Sequence, residues 1–119
     1  MQYLDLTHNQ LTALPVEIGQ LTGLESLILS NNELTALPAE IGQLANLQSL
    51  DLSNNQLTAL PAELGQLTNV QFLFVEGNPL EEPWAGLAAA GSRALLAHLR
   101  SLAASTRSRD DARREPGTP

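Results

Sequence analysis

The sequence predicts an α/β solenoid closed at its carboxyl end by a helix, and three observations predict it. The chain repeats every 23 residues, a period marked by Leu4, Leu27, Leu50 and Leu73. Within a unit, leucines alternate at Leu27-x-Leu29 and Leu50-x-Leu52, the period of two expected of a strand with one buried face. A return segment, LPxE(I/L)GQL, then places a proline and a glycine at fixed positions in three successive units. The chain has 25 leucines in 119 residues, more than single units can cover, so neighbouring units must stabilise one another by stacking.

Taken in order, the first unit begins with Met1 in its first apolar slot. Its seven inward positions (Met1, Leu4, Leu6, Leu11, Leu14, Ile18 and Leu21) are each covered on one side only. If each loses about half of a roughly 2 kcal/mol burial term, the deficit is on the order of 7 kcal/mol, comparable with a domain's usual margin of about 5 to 15 kcal/mol. Two expectations follow: the chain is the carboxyl end of a longer repeat protein, or the uncapped amino-terminal edge associates with another chain, including a second copy.

In each return segment, Pro15, Pro38 and Pro61 are expected to set a helical φ in the first turn. Gly19, Gly42 and Gly65 are expected to supply a left-handed residue where that turn stops. Leu14, Ile18 and Leu21 point back inside. Asn9, Asn32, Asn55 and Asn78 recur directly after each strand, where the chain turns inward and leaves peptide groups without ladder partners. An amide side chain carries both donors and an acceptor, so these four are expected to form a structural ladder.

The pattern breaks after Leu80, dividing the chain into repeats over 1–80, a cap over 81–105 and a polar tail over 106–119. In the cap Trp84 lies near the apolar interior, and Ser92 is expected to cap a helix whose Leu95, Leu96, Leu99 and Leu102 share one face. The tail, ending in RSRDDARREPGTP, has no aliphatic residue beyond alanine and is expected to be disordered.

The pattern L-x-x-L-x-L-x-x-N-x-L, filled by Leu24, Leu27, Leu29, Asn32 and Leu34 and again by Leu47, Leu50, Leu52, Asn55 and Leu57, resembles the leucine-rich repeat family. The intracellular 23-residue type is the nearest likeness, and the match runs from Met1 to about Leu102. The resemblance implies a leucine-rich repeat solenoid: a short horseshoe with parallel strands on its concave face. The stretch GNPLEEPWAGLAAAGSRALLAHLRSL is also similar to the end of the repeat region in Roco-type proteins, although Glu81, Glu82 and Trp84 depart from that pattern. This second likeness implies the regulatory part of a GTPase whose catalytic domain lies outside the chain.

Charge and composition exclude several chemistries. Residues 1–92 hold ten carboxylates and neither Lys nor Arg, while all six arginines lie at or after Arg93, leaving a net charge of -7. Without Lys there is no Schiff-base lysine and no nucleotide-binding phosphate loop. Without Cys there is no disulfide, thiolate nucleophile or cysteine-ligated metal. An acidic body repels nucleic acid. No signal segment and no run of 18 apolar residues occurs, so a cytoplasmic protein with no membrane partner is expected.

In a strand of the kind the resemblance implies, residues between the leucines face the concave surface. They form rows: Tyr3, Ser26, Ser49, Phe72; then Asp5, Ile28, Asp51, Phe74; then Thr7, Ser30, Ser53, Glu76. Aromatic residues among polar ones are the usual composition of a protein-binding hot spot. The expected partner-binding set is Tyr3, Ile28, Phe72 and Phe74 as apolar anchors, with Asp5, Asp51 and Glu76 for basic groups.

Catalysis is not expected. Asp5 and Asp51 lie two strands apart, about 10 Å, slightly too far for a glycosidase carboxylate pair. His8 and His98 have no metal-ligand neighbours at suitable spacing, and no G-x-S-x-G occurs. Glu17, Glu40 and Glu63 recur on the return segments as solvated charges, and Arg93, Arg100 and Arg107 recur every seven residues as one basic helix face. The expectation is a protein-interaction scaffold in intracellular signalling, without cofactor or metal; the resemblance implies a small GTPase or kinase-pathway component as partner. A host-interaction effector is the remaining alternative.

Overall fold

The structure, a computed structural model, describes residues 2–102; Met1 and residues 103–119 lie outside the described residues, and with them the whole of the tail read over 106–119 and the end of the cap. Each unit contributes one three-residue strand: β1 (Tyr3–Asp5), β2 (Ser26–Ile28), β3 (Ser49–Asp51) and β4 (Phe72–Phe74). They form one parallel sheet in the order β1-β2-β3-β4. The pairing register is the sequence period itself, with Leu4, Leu27, Leu50 and Leu73 in one row. Leu27, Leu29, Leu50 and Leu52 are completely buried, which is what alternation on a one-sided sheet requires.

The return segments fold as short 3-10 helices at Val16–Gln20, Ala39–Gln43 and Ala62–Gln66, and they correct two sequence expectations. Pro15, Pro38 and Pro61 precede the turns rather than opening them: φ is fixed near -73°, but ψ is extended at 153°, 149° and 140°. Their carbonyls instead accept the first turn bonds, from the N–H groups of Ile18, Ile41 and Leu64 at 3.0 to 3.1 Å. Gly19, Gly42 and Gly65 are buried inside the turns and are not left-handed. A Cβ at Gly19 would lie 2.8 Å from the carbonyl oxygen of Glu40, and one at Gly42 would lie 2.7 Å from that of Glu63. Close approach of successive return turns excludes a side chain there. The left-handed position instead follows each strand, at His8, Asn31, Asn54 and Gly77, with φ between 58° and 79°.

One residue further on stands the asparagine ladder. Asn55 Oδ1 accepts the N–H of Leu34 at 3.1 Å, and its Nδ2 donates to the carbonyls of Leu29 and Leu52 at 3.0 and 2.9 Å. Asn32 accepts the N–H groups of Asn9 and Leu11 and donates to Leu6 and Leu29; Asn78 accepts from Leu57 and donates to Leu52 and Val75. Each amide therefore ties its own strand to the unit before it. The side chain of Asn9, exposed, donates within its own turn, to the Thr7 carbonyl. A second amide row, Asn46 to the Thr22 carbonyl and Asn69 to that of Ala45, links successive return turns on the outer side.

The carboxyl end closes with α1 (Trp84–Ala90), a break at Gly91 with φ 110°, and a second helix, α2, over 92–102. Leu95, Leu96 and Leu99 of α2 are buried in the common core, and Leu102 is half-buried. Ser92 does not cap this helix: the carbonyl of Gly91 accepts from Leu95. The Ser92 hydroxyl instead donates to the Leu73 carbonyl at 2.8 Å and accepts the Leu73 N–H at 3.3 Å. A single side chain thus satisfies both outward peptide groups at the centre of edge strand β4, where an open sheet edge would otherwise invite pairing.

The opposite end is open among the described residues. Leu21, expected to point inside, is 42% exposed, whereas its equivalents Leu44 and Leu67 are 0% and 1% exposed. Leu4, Leu6 and Leu11 are only partly buried against the core. No described unit lies on the outer side of β1, so these leucines are packed on one face.

The ladder makes a sharp expectation for stability. Asn55→Ala leaves the Leu34 N–H and the Leu29 and Leu52 carbonyls without this partner and should destabilise the fold by about 1 to 3 kcal/mol, while Asn9→Ala should change it by less than about 0.5 kcal/mol. Urea denaturation of the two variants checks this; equal losses would contradict it.

Candidate functional site

The sheet presents its alternate side chains outward, and its register brings the expected rows together. Tyr3, Ser26, Ser49 and Phe72 are successive partners, as are Asp5, Ile28, Asp51 and Phe74. Tyr3, Phe72 and Phe74 are 65%, 52% and 39% exposed, and Ile28 is half-buried between the two aspartates. Phe72 and Phe74 lie on the same strand and stack, with ring centroids 6.2 Å apart and planes inclined by 13°. Both rings stay open to solvent rather than being covered by the helical cap.

The carboxylates are held locally. Asp5 Oδ1 accepts the Thr7 N–H at 3.0 Å and the Thr7 hydroxyl. Asp51 Oδ1 accepts the Ser53 N–H at 3.0 Å and the Ser53 hydroxyl at 2.6 Å. The Asp-x-(Ser/Thr) spacing works because residues two apart on a strand point to the same side. The bond from the Thr7 hydroxyl, followed by that from the Thr7 N–H, holds the Asp5 carboxyl below its ordinary value, since both bonds favour the charged form. Glu76 is exposed at the β4 end of the third row, and Ser30 is buried with its Oγ 3.3 Å from that of Thr7.

The two strand aspartates are separated by a strand: Asp5 stands on β1 and Asp51 on β3, with β2 between them. Among the described residues no group of three or more His, Asp or Glu residues could hold a metal ion, and no helix is long and apolar enough to cross a membrane. His8 occupies the left-handed post-strand position. His98 makes an edge-to-face contact with Trp84, centroids 5.5 Å apart, which joins α2 to α1.

One feature beside the sheet was not anticipated from sequence. A cleft of about 510 Å³ lies between the last return loop and α2, lined by Thr68, Asn69, Val70, Gln71, Phe72, Arg93, Leu96 and Arg100. The seven-residue spacing of Arg93 and Arg100 was its visible signal. That Phe72 stands on both the sheet surface and the cleft follows only from how α2 docks.

Comparison with known proteins agrees with this architecture. The family described as leucine rich repeat matches residues 22–80, and that described as leucine rich repeats in two copies matches residues 1–41. Among solved structures, a leucine-rich repeat protein of Leptospira interrogans is similar at 56% identity with a TM-score of 0.67, over 69% of this chain and 21% of that one. A chain in the Drosophila Toll–Spätzle complex, described as a molecular hub in development and innate immunity, is similar at 40% identity with a TM-score of 0.57, over 66% of this chain and 11% of that one. The matched portions are thus small parts of both relatives. No curated protein sequence matches the chain.

The Asp5 contact is testable by titration. A carboxyl lowered by folding stabilises the native state above its unfolded value, and that contribution disappears as the pH falls through the lowered native value. Thr7→Val removes the hydroxyl bond and should bring the Asp5 midpoint up toward 3.8, as followed by carboxyl NMR shifts. An unmoved midpoint would contradict the assignment of the hydroxyl as the main cause.

Proposed function

Because the chain belongs to the leucine-rich repeat family, whose members generally mediate protein–protein interaction, we propose that it is a recognition module that binds a protein partner on its concave sheet. The reading is carried by one observation: two stacked, solvent-open phenylalanines, Phe72 and Phe74, side by side on a sheet face whose other residues are mostly polar. Exposed aromatics surrounded by small hydroxyls and carboxylates match the composition of an interface centre with a polar rim. Tyr3 and Ile28 extend the apolar contact along the rows, and Asp5, Asp51 and Glu76 offer carboxylates to basic groups of the partner.

The module acts in this reading as a non-enzymatic scaffold in cytoplasmic signalling, with a small GTPase or a kinase-pathway component as the class of partner. Support for a binding role also comes from the similarity to a chain of the Toll–Spätzle complex, itself an assembly of proteins. Anchors carried on hydrogen-bonded strands favour recognition, because ordering flexible segments on binding costs affinity.

Replacing both phenylalanines tests the assignment. Phe72→Ala with Phe74→Ala should weaken capture of the partner by about 30-fold or more, as loss of anchors worth about 2 kcal/mol demands. The melting temperature should change little, since both side chains are exposed. Partner capture equal to that of the unsubstituted chain would overturn the concave-face reading.

A further inference from the structure

The cleft beside Phe72 has a charge opposite to the rest of the repeat body. Arg93 and Arg100 are the only Lys or Arg side chains among the described residues, and both line it; no carboxylate does. Seven residues are almost two full helical turns, so the two guanidinium groups leave α2 on the same side, with their Cα atoms roughly 10 Å apart. Arg100 is fixed in place by donating to the Val70 carbonyl at 3.0 Å, a bond that uses one of its five N–H donors and leaves others for a ligand. Arg93 is exposed. Asn69, Gln71 and Phe72 line the same cleft.

Guanidinium groups match carboxylates and phosphates in geometry, so the choice between these rests on the surroundings. Phe72 belongs to the sheet as well as to the cleft, and the sheet beyond it carries Glu76, Asp51 and Asp5. A polyanion with charge along its whole length would be repelled where it ran on past Phe72 over these carboxylates, since screening at physiological salt acts over about 8 Å. A short acidic stretch followed by an apolar residue carries no charge over them. We propose that the cleft takes the carboxylates of an acidic peptide segment of the partner, whose neighbouring apolar residue lies on the Phe72–Phe74 pair. The proposal rests on the concave-face reading and gives the partner a polarity: acidic beyond β4, apolar at the phenylalanines, basic toward Asp51 and Asp5.

The test is an NMR titration of the full chain with two synthetic peptides, acetyl-Phe-Glu-Glu-amide and acetyl-Phe-Gln-Gln-amide, at low and high salt. The glutamate peptide should shift the side-chain Nε–H signals of Arg93 and Arg100 and saturate at a concentration about tenfold lower than the glutamine peptide, a difference of about 1.4 kcal/mol, with the gap closing at high salt. Arg93→Glu, at an exposed position, should abolish that preference without lowering the melting temperature. Arg100→Gln is the second variant, with its fold checked by Trp84 fluorescence. Equal saturation by the two peptides, no saturable shift from the glutamate peptide, or a preference surviving Arg93→Glu would overturn the cleft. The two readings separate: shifts at Phe72 and Phe74 without glutamate preference would reject the cleft and keep the concave face. A glutamate preference that leaves both phenylalanines unmoved would do the reverse.

Discussion

Everything in this structure depends on the buried asparagine amides that bind each unit to its predecessor. A strand of three residues makes too few ladder bonds to hold a register alone, and the turn that follows leaves peptide groups facing the interior. Asn32 and Asn55 meet those groups with nearly all their donor and acceptor capacity, and no buried side-chain polar atom among the described residues lacks a partner. Unmade bonds at such depth are costly, so the amides fix one spacing of units. Leucines fill the volume between them, but leucines alone would tolerate many arrangements.

That fixed spacing converts a one-dimensional repeat into a two-dimensional surface. Once Leu27 lies beside Leu50, Ser26 must lie beside Ser49 and Ile28 beside Asp51, and the differences between units become features of the concave face. The unit that departs furthest from the others contributes both phenylalanines. The same departure brings α1 and α2, and Ser92 ends the sheet by bonding Leu73. The segregation of charge then acquires a spatial meaning: an acidic sheet face meets a basic cleft at a shared aromatic ring.

Most of the fold was legible in the sequence because a period of 23 residues supplies both element and register. The α/β repeat class follows from Leu27, Leu29, Asn32 and their equivalents without reference to anything distant. What sequence reasoning missed depends on contacts between elements. A glycine serves either a left-handed backbone or a close approach, and nothing within LPxE(I/L)GQL distinguishes them; Gly42 turned out to face the Glu63 carbonyl of the next unit. Similarly, a serine before a leucine-rich helix reads as a cap, whereas Ser92 bonds across to Leu73. Helix α1 was hidden in an alanine- and glycine-rich stretch with little periodicity, and the Asn46–Asn69 row was overlooked beside the stronger one. The positions of Phe72 and Phe74 on their strand were readable, but their openness to solvent required the placement of α2.

Amide hydrogen exchange tests the central role of the ladder most directly. The N–H groups of Leu34 and Leu57 donate to asparagine side chains, at 3.1 and 3.0 Å, rather than to strand carbonyls. If the amides hold the stack together, these two protons should exchange only with global unfolding, alongside strand-ladder protons such as those of Leu29 and Leu52. Exchange of Leu34 and Leu57 at the rate of amides in exposed loop residues such as Thr35, while Leu29 and Leu52 remain protected, would show that the leucine core holds the repeats without them.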